Sequence, residues 1–188
     1  MRKVIWWMMV SLDGYFEGPD HDLSWHHVDD ELHQHLNDAI RPMGALLNGR
    51  VTWQLMADFW PDVARVFPEE PLMAEYSEIW KAIPKLVYSR TLQEAGWNTT
   101  IVRQVDPAEV QALKAQPGGD LCLTAGDLGA EFMRLGLVDE IRLYVNPVVL
   151  GKGRLLFGAG VKKELELKEI ERFGNGVVMM RYRNRHLE

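Results

Sequence analysis

The sequence predicts a three-layer α/β fold with a mostly parallel central sheet and an antiparallel C-terminal hairpin. Three observations predict it. Residues 3–10, Lys-Val-Ile-Trp-Trp-Met-Met-Val, are apolar on both faces, as in a central strand covered by helices on both sides. Strand-like and helix-like segments then alternate along the chain, the order that builds a parallel sheet. Two further alternating segments flank Gly174-Asn175-Gly176, a hairpin turn signal.

The elements follow in order. Residues 11–27, rich in Gly, Pro, Asp and His, read as a loop. Asp29 or Asp30 can cap a helix running to about Arg41, because Leu32, Leu36 and Ile40 stand at helical spacing. A short strand over Ala45–Asn48 leads through Gly49 into a helix over Val51–Phe59. Pro61, Pro68 and Pro71 mark residues 61–71 as a loop, and a helix over 72–82 precedes a strand over Lys85–Ser89. A strand at 99–103, a helix at 107–115 and a Pro-Gly-Gly turn lead to a strand over Asp120–Thr124. Gly126 opens a helix to about Leu135, and Glu140–Val148 is the next strand. Residues 163–173 and 176–184 form the hairpin. There is no repeat, linker or low-complexity tract, so one domain over residues 1–188 is expected.

Composition narrows the function. A chain of 188 residues with 47% apolar and 26% charged residues suits an ordinary globular core. The net charge of -6 argues against nucleic acid and against anionic membrane surfaces. Arg172, Arg181, Arg183 and Arg185 are spread along the last segments, as on a solvated edge rather than a binding patch. The one cysteine, Cys122, lies between Leu121 and Leu123 and reads as a buried structural thiol. No run suits a bilayer span, and no cleavage site follows the short apolar segment behind Arg2-Lys3, so a cytoplasmic protein is expected.

Three strand-to-helix or strand-to-loop junctions carry anion-friendly groups. Gly49-Arg50-Val51-Thr52 directs backbone N–H groups and a helix N-terminus at an anion, with Arg50 adding charge. Thr124-Ala125-Gly126-Asp127-Leu128-Gly129 would let a pyrophosphate approach closely, although Asp127 stands where the anion would lie and could itself cap the helix. Tyr88-Ser89-Arg90-Thr91 sets two hydroxyls around a cation, which suits the 2′-phosphate that separates NADP from NAD. Singly, each also reads as a polar turn. Together, three such strand ends are what a dinucleotide crevice in an open α/β sheet requires.

Ser11-Leu12-Asp13-Gly14 follows the first strand, where Asp13 either orients a substrate or caps a turn. Five of the six histidines lie between His21 and His35, yet their spacing makes no metal set: His26 and His27 are adjacent, and His33 and His35 diverge on a helix. His35 remains a pocket candidate. Trp25 is either a stacking surface for a planar ligand or a loop anchor. No G-x-S-x-G, P-loop or H-E-x-x-H signature appears.

Taken together, Ser11-Leu-Asp-Gly14, Gly49-Arg50-Val-Thr52, Tyr88-Ser-Arg-Thr91, Gly126 and Gly136-Leu-Val-Asp-Glu140 through Asn146-Pro-Val-Val-Leu-Gly-Lys-Gly153 resemble the dihydrofolate reductase-like superfamily. The resemblance is to the C-terminal reductase domain of the bacterial riboflavin-biosynthesis deaminase-reductase, and it covers nearly the whole chain. It implies NADPH lying across the strand C-termini, hydride transfer to a small heterocycle or ribosylated pyrimidine, and a homodimer. It places Gly49, Arg50 and Thr52 at cofactor phosphates, and Ser89, Arg90 and Thr91 at the adenosine 2′-phosphate. Ala125, Gly126, Asp127, Leu128 and Gly129 fall at the pyrophosphate. Asp13 falls by the nicotinamide and substrate, and from the residues themselves Gly14 and Trp25 are further candidates for the substrate side. Asp13, Glu31 and His35 are the candidates for the polar catalytic role. Where the family carries Gly-Gly or a Gly-Ser/Ala pair at the second phosphate turn, this chain has Ala125-Gly126-Asp127. The H-x-E and P-C-x-x-C signatures of the zinc deaminase half do not occur, so no deamination is expected. The competing expectations are a binding protein without catalysis and a reductase of flavin or pterin.

Overall fold

The structure, a computed structural model, describes residues 1–158 and 162–185. Its centre is an eight-stranded sheet in the order β5-β4-β3-β6-β1-β7-β10-β9. The strands are β1 Val4–Ser11, β3 Ala45–Gly49, β4 Lys85–Tyr88, β5 Thr99–Val102, β6 Leu121–Leu123, β7 Glu140–Asn146, β9 Leu165–Arg172 and β10 Val178–Asn184. β5, β4, β3, β6, β1 and β7 are parallel neighbours, and β10 pairs antiparallel with both β7 and β9. The fold class expected from the sequence is the one observed.

Alternation along β1 explains why its residues are apolar on both sides. Val4, Trp6, Met8 and Val10 join one core layer, while Trp7 and Met9 join the other. β6 repeats the pattern, with Leu121 and Leu123 in the first layer and Cys122 in the second. The first layer packs under α5 (Pro107–Ala115) and α6 (Gly126–Arg134), through Val110, Leu128 and Phe132. The second packs under α1 (Asp30–Ile40), α2 (Arg50–Phe59) and α4 (Pro71–Ala82), through Leu32, Met56 and Trp80. Such period-two sorting requires helices on both faces of a parallel sheet. Burial pushes the Cys122 thiol up to about 12, as befits a structural cysteine.

The termini of the helices follow their chemistry. Asp29 caps α1 by accepting from the Leu32 N–H at 3.0 Å, and Asp106 caps α5 through the Ala108 N–H. α6 ends in a Schellman motif: Gly136, at φ +70°, donates to the Met133 carbonyl and Leu137 to that of Phe132. The late arginines meet acids across the hairpin, Arg181 with Glu169 at 2.7 Å and Arg183 with Glu166.

Two segments differ from expectation. Residues 61–71 are not all loop: a 3-10 turn spans Trp60–Asp62, α3 spans Val63–Val66, and Pro71 opens α4. Proline is accepted in a first helical turn, where its missing N–H has no partner to lose. Residues 11–27 hold the strand β2, Tyr15–Glu17, which pairs antiparallel with β8, Arg154–Leu155, in a small second sheet. Gly153 makes that ribbon possible. It sits at φ +131°, and a Cβ there would fall 2.2 Å from the Glu17 carbonyl oxygen. Among the described residues no helix is long and apolar enough to cross a membrane.

Candidate functional site

The C-terminal ends of β3, β4 and β6 open on one cleft of about 480 Å³. Gly49, Arg50 and Thr52 line it from the β3–α2 junction. Ser89, Arg90 and Thr91 line it from the end of β4, and Ala125, Gly126, Asp127 and Leu128 from the β6–α6 junction. Ten residues singled out in three separate sequence segments are thus brought together. Gly129, the eleventh, lies one step further along α6, where its backbone presses on Trp6.

The parallel sheet creates the cleft because β3 and β6 deliver their following helices, and β4 its following loop, at the same edge. Neither α2 nor α6 has a side-chain cap, whereas α1 and α5 do. Their first-turn N–H groups, with the positive helix end, therefore face the cleft without an internal acceptor side chain at the cap. Arg50 donates to Gln54 at 2.7 Å on its own helix. Arg90 is exposed and has no hydrogen-bond or ion-pair partner among the described residues. The Ser89 Oγ accepts from the Thr91 and Leu92 N–H groups at 3.3 and 3.0 Å, which leaves its own hydrogen free to donate. At the strand ends behind Gly49 and Ala125, Asn48, 2% exposed, donates to the Thr124 hydroxyl at 2.6 Å. The Asn48 Oδ1 has no partner among the described residues.

Three lining residues escaped the sequence: Phe16, Glu17 and Arg154. Arg154 reaches in from β8, donates to Glu17 at 2.8 Å and pairs with Asp127. Its guanidinium lies 5.1 Å from the centre of the Phe16 ring. Asp127 therefore does not cap α6 as the sequence allowed; its carboxylate turns to Arg154. The signal in the sequence was the Gly-x-Gly of 151–153, which marks a turn but not its distant partner.

The other candidates lie outside this lining. Asp13 accepts from Ser11 Oγ at 2.7 Å and from the Leu150 and Gly151 N–H groups at 3.1 and 2.8 Å. The Ser11 hydroxyl, aided by the two backbone donors, holds its carboxyl down at about 2. Asp13 thus ties the end of β1 to the loop after β7, and Gly14, at φ +85°, completes that turn. Glu31 accepts from the Gly174 N–H at 2.8 Å and seats the hairpin turn on α1. His35 Nε2 lies 3.0 Å from the Tyr144 hydroxyl, and Nδ1 lies 3.6 Å from Glu171. Trp25 is buried in its own loop, its indole donating to the Asp22 carbonyl at 3.0 Å.

A polar cleft at the parallel strand ends of an α/β sheet, flanked by uncapped helix N-termini and arginines, is the geometry in which proteins of this architecture place ligands. The family model described as RibD C-terminal domain matches residues 2–179, and the chain belongs to that family. The chain is 34% identical over 187 residues to "Uncharacterized protein YyaP" of Bacillus subtilis, covering 96% of this chain and 94% of that one. Among solved structures it resembles a putative riboflavin biosynthesis protein from Shewanella sp. PV-4, with a TM-score of 0.75 at 20% identity. That likeness covers 98% of this chain and 99% of that one. It also resembles the diaminohydroxyphosphoribosylaminopyrimidine deaminase/5-amino-6-(5-phosphoribosylamino)uracil reductase of Thermotoga maritima, with a TM-score of 0.63 at 15% identity. There it covers 98% of this chain but 57% of the longer protein. The fold is that of the dihydrofolate reductase-like superfamily, and the chain is a riboflavin-pathway reductase-like protein.

Proposed function

We propose that the chain is an NADPH-dependent reductase that passes hydride to a C=N or C=O bond of a small heterocyclic or ribosylated pyrimidine-type substrate. One observation carries this reading: three strand ends, 39 and 35 residues apart in the sequence, contribute their anion-friendly groups to a single cleft. The lining fits the group. Its volume lies within the range of ligand clefts, its cations Arg50 and Arg90 have no acidic partner among the described residues, and Asp127 is paired with Arg154, which it shares with Glu17.

When bound, the nicotinamide supplies the hydride. The chain's own residues would do the rest. Gly49, Arg50 and Thr52 would hold phosphate oxygens at the head of α2, and Gly126 with its neighbours would do so at the head of α6. Ser89, Arg90 and Thr91 would take the 2′-phosphate, with the arginine fork matched to a phosphomonoester. Asp13, an anion at neutral pH, would orient the loop beside the substrate rather than give up a proton. Glu31 holds the hairpin turn, and His35, between the Tyr144 hydroxyl and Glu171, is the other candidate to relay a proton.

Tryptophan fluorescence tests the reading. Trp6 donates to the Ala125 carbonyl at 3.0 Å and Trp53 follows Thr52 on α2, so two tryptophans adjoin residues that line the cleft. Saturable quenching or energy transfer with NADPH is expected, with NADH binding more weakly. No change with millimolar NADPH would remove the enzyme reading.

A further inference from the structure

We propose that Arg154 is a ligand of the cofactor's pyrophosphate, carried to α6 by the β2–β8 ribbon, with Asp127 as its exchangeable counter-ion. The inference rests on the dinucleotide reading above. Arg154 presents its guanidinium to two carboxylates whose surroundings differ. Glu17 is buried, its side chain 8% exposed, and also meets the His21 Nδ1 at 3.0 Å. That arm is fixed. Asp127 is 83% exposed, and an ion pair so open to water and salt contributes little.

The ribbon aims the side chain. Phe16 lies under the guanidinium and against Gly126, so closely that a Cβ on Gly126 would fall 2.3 Å from the ring. Arg154 is therefore held beside the first turn of α6, at the segment where the N–H groups await an anion. A diphosphate offers several oxygens and more charge than one carboxylate, and it matches the arginine fork at two points. It would take the arm that Asp127 occupies, while Asp127 turns to water. The aspartate in this phosphate turn thus has a cation beside it, shared with Glu17.

Titrations of NADPH and NADH, followed by tryptophan fluorescence after a melting-temperature check of each variant, test the assignment. Asp127→Asn should tighten both dinucleotides several-fold. In the Asp127→Asn background, Arg154→Gln should weaken both alike, on the order of ten-fold, because the pyrophosphate is common to them. If Arg154→Gln changes nothing there, Arg154 serves only to neutralise Asp127 and the assignment fails. A loss confined to NADPH would likewise overturn it, since Arg154 would then read the 2′-phosphate. Arg154→Lys keeps a charge for Glu17 and tests the same point if the glutamine variant does not fold. It should weaken both dinucleotides about three-fold through loss of the fork, and no change overturns the assignment. Wild-type protein that binds neither dinucleotide overturns the dinucleotide reading as well, which a failure of Arg154 alone does not.

Discussion

Replacing Gly129 with alanine is expected to lower the melting temperature by about 5–10 °C, from a loss of roughly 2–3 kcal/mol at some 2–4 °C per kcal/mol for a chain of this size. The added Cβ would fall 2.0 Å from the Trp6 Nε1 and 2.1 Å from its Cε2. Trp6 cannot yield easily. It is fully buried in the central strand, its indole donates to the Ala125 carbonyl, and its ring meets Phe157 edge-on at 5.5 Å. Either the indole shifts and the buried hydrogen bond breaks, or α6 lifts from the sheet. Both routes disturb the turn at Ala125 and Gly126, so dinucleotide binding should fall with stability. A melting temperature within about 2 °C of wild type would mean that Trp6 does not fix α6.

Arg90→Ala is expected to weaken NADPH on the order of ten-fold while leaving NADH within about two-fold, since a charge-assisted contact to the 2′-phosphate is made by one cofactor only. Arg90 is exposed and has no partner among the described residues, so its removal leaves no buried group unsatisfied. Its effect on folding should be small, and the loss can be read as binding. Ser89 differs, because its hydroxyl also holds the Thr91 and Leu92 N–H groups. Equal losses for both dinucleotides would place the 2′-phosphate away from Arg90. The selectivity ratio from paired titrations decides the matter.

Local patterning explains what the sequence made legible. β1 could be read because Trp6 and Trp7 are both apolar yet enter opposite layers, which only a doubly covered strand permits. The ends of β3, β4 and β6 could be read because each keeps its glycine, arginine or hydroxyls within four residues of a strand. Their convergence then follows from parallel topology. The prolines of 61–71 misled because Pro61 and Pro71 open turns of helix instead of ending one. The β2–β8 ribbon was invisible for another reason: three residues pair with two, about 140 positions apart, with no periodicity to announce them. Arg154 and Glu17 were missed with it, since an ion pair spanning 137 positions leaves no local trace. Asp13, Glu31 and His35 were legible as polar residues, but not their partners in the loop after β7, the hairpin turn and Tyr144.

A crystal structure with NADPH bound tests the central claim most directly. The claim predicts the 2′-phosphate among Ser89, Arg90 and Thr91, with the pyrophosphate between the heads of α2 and α6. Density for the dinucleotide away from the β3, β4 and β6 strand ends would contradict it.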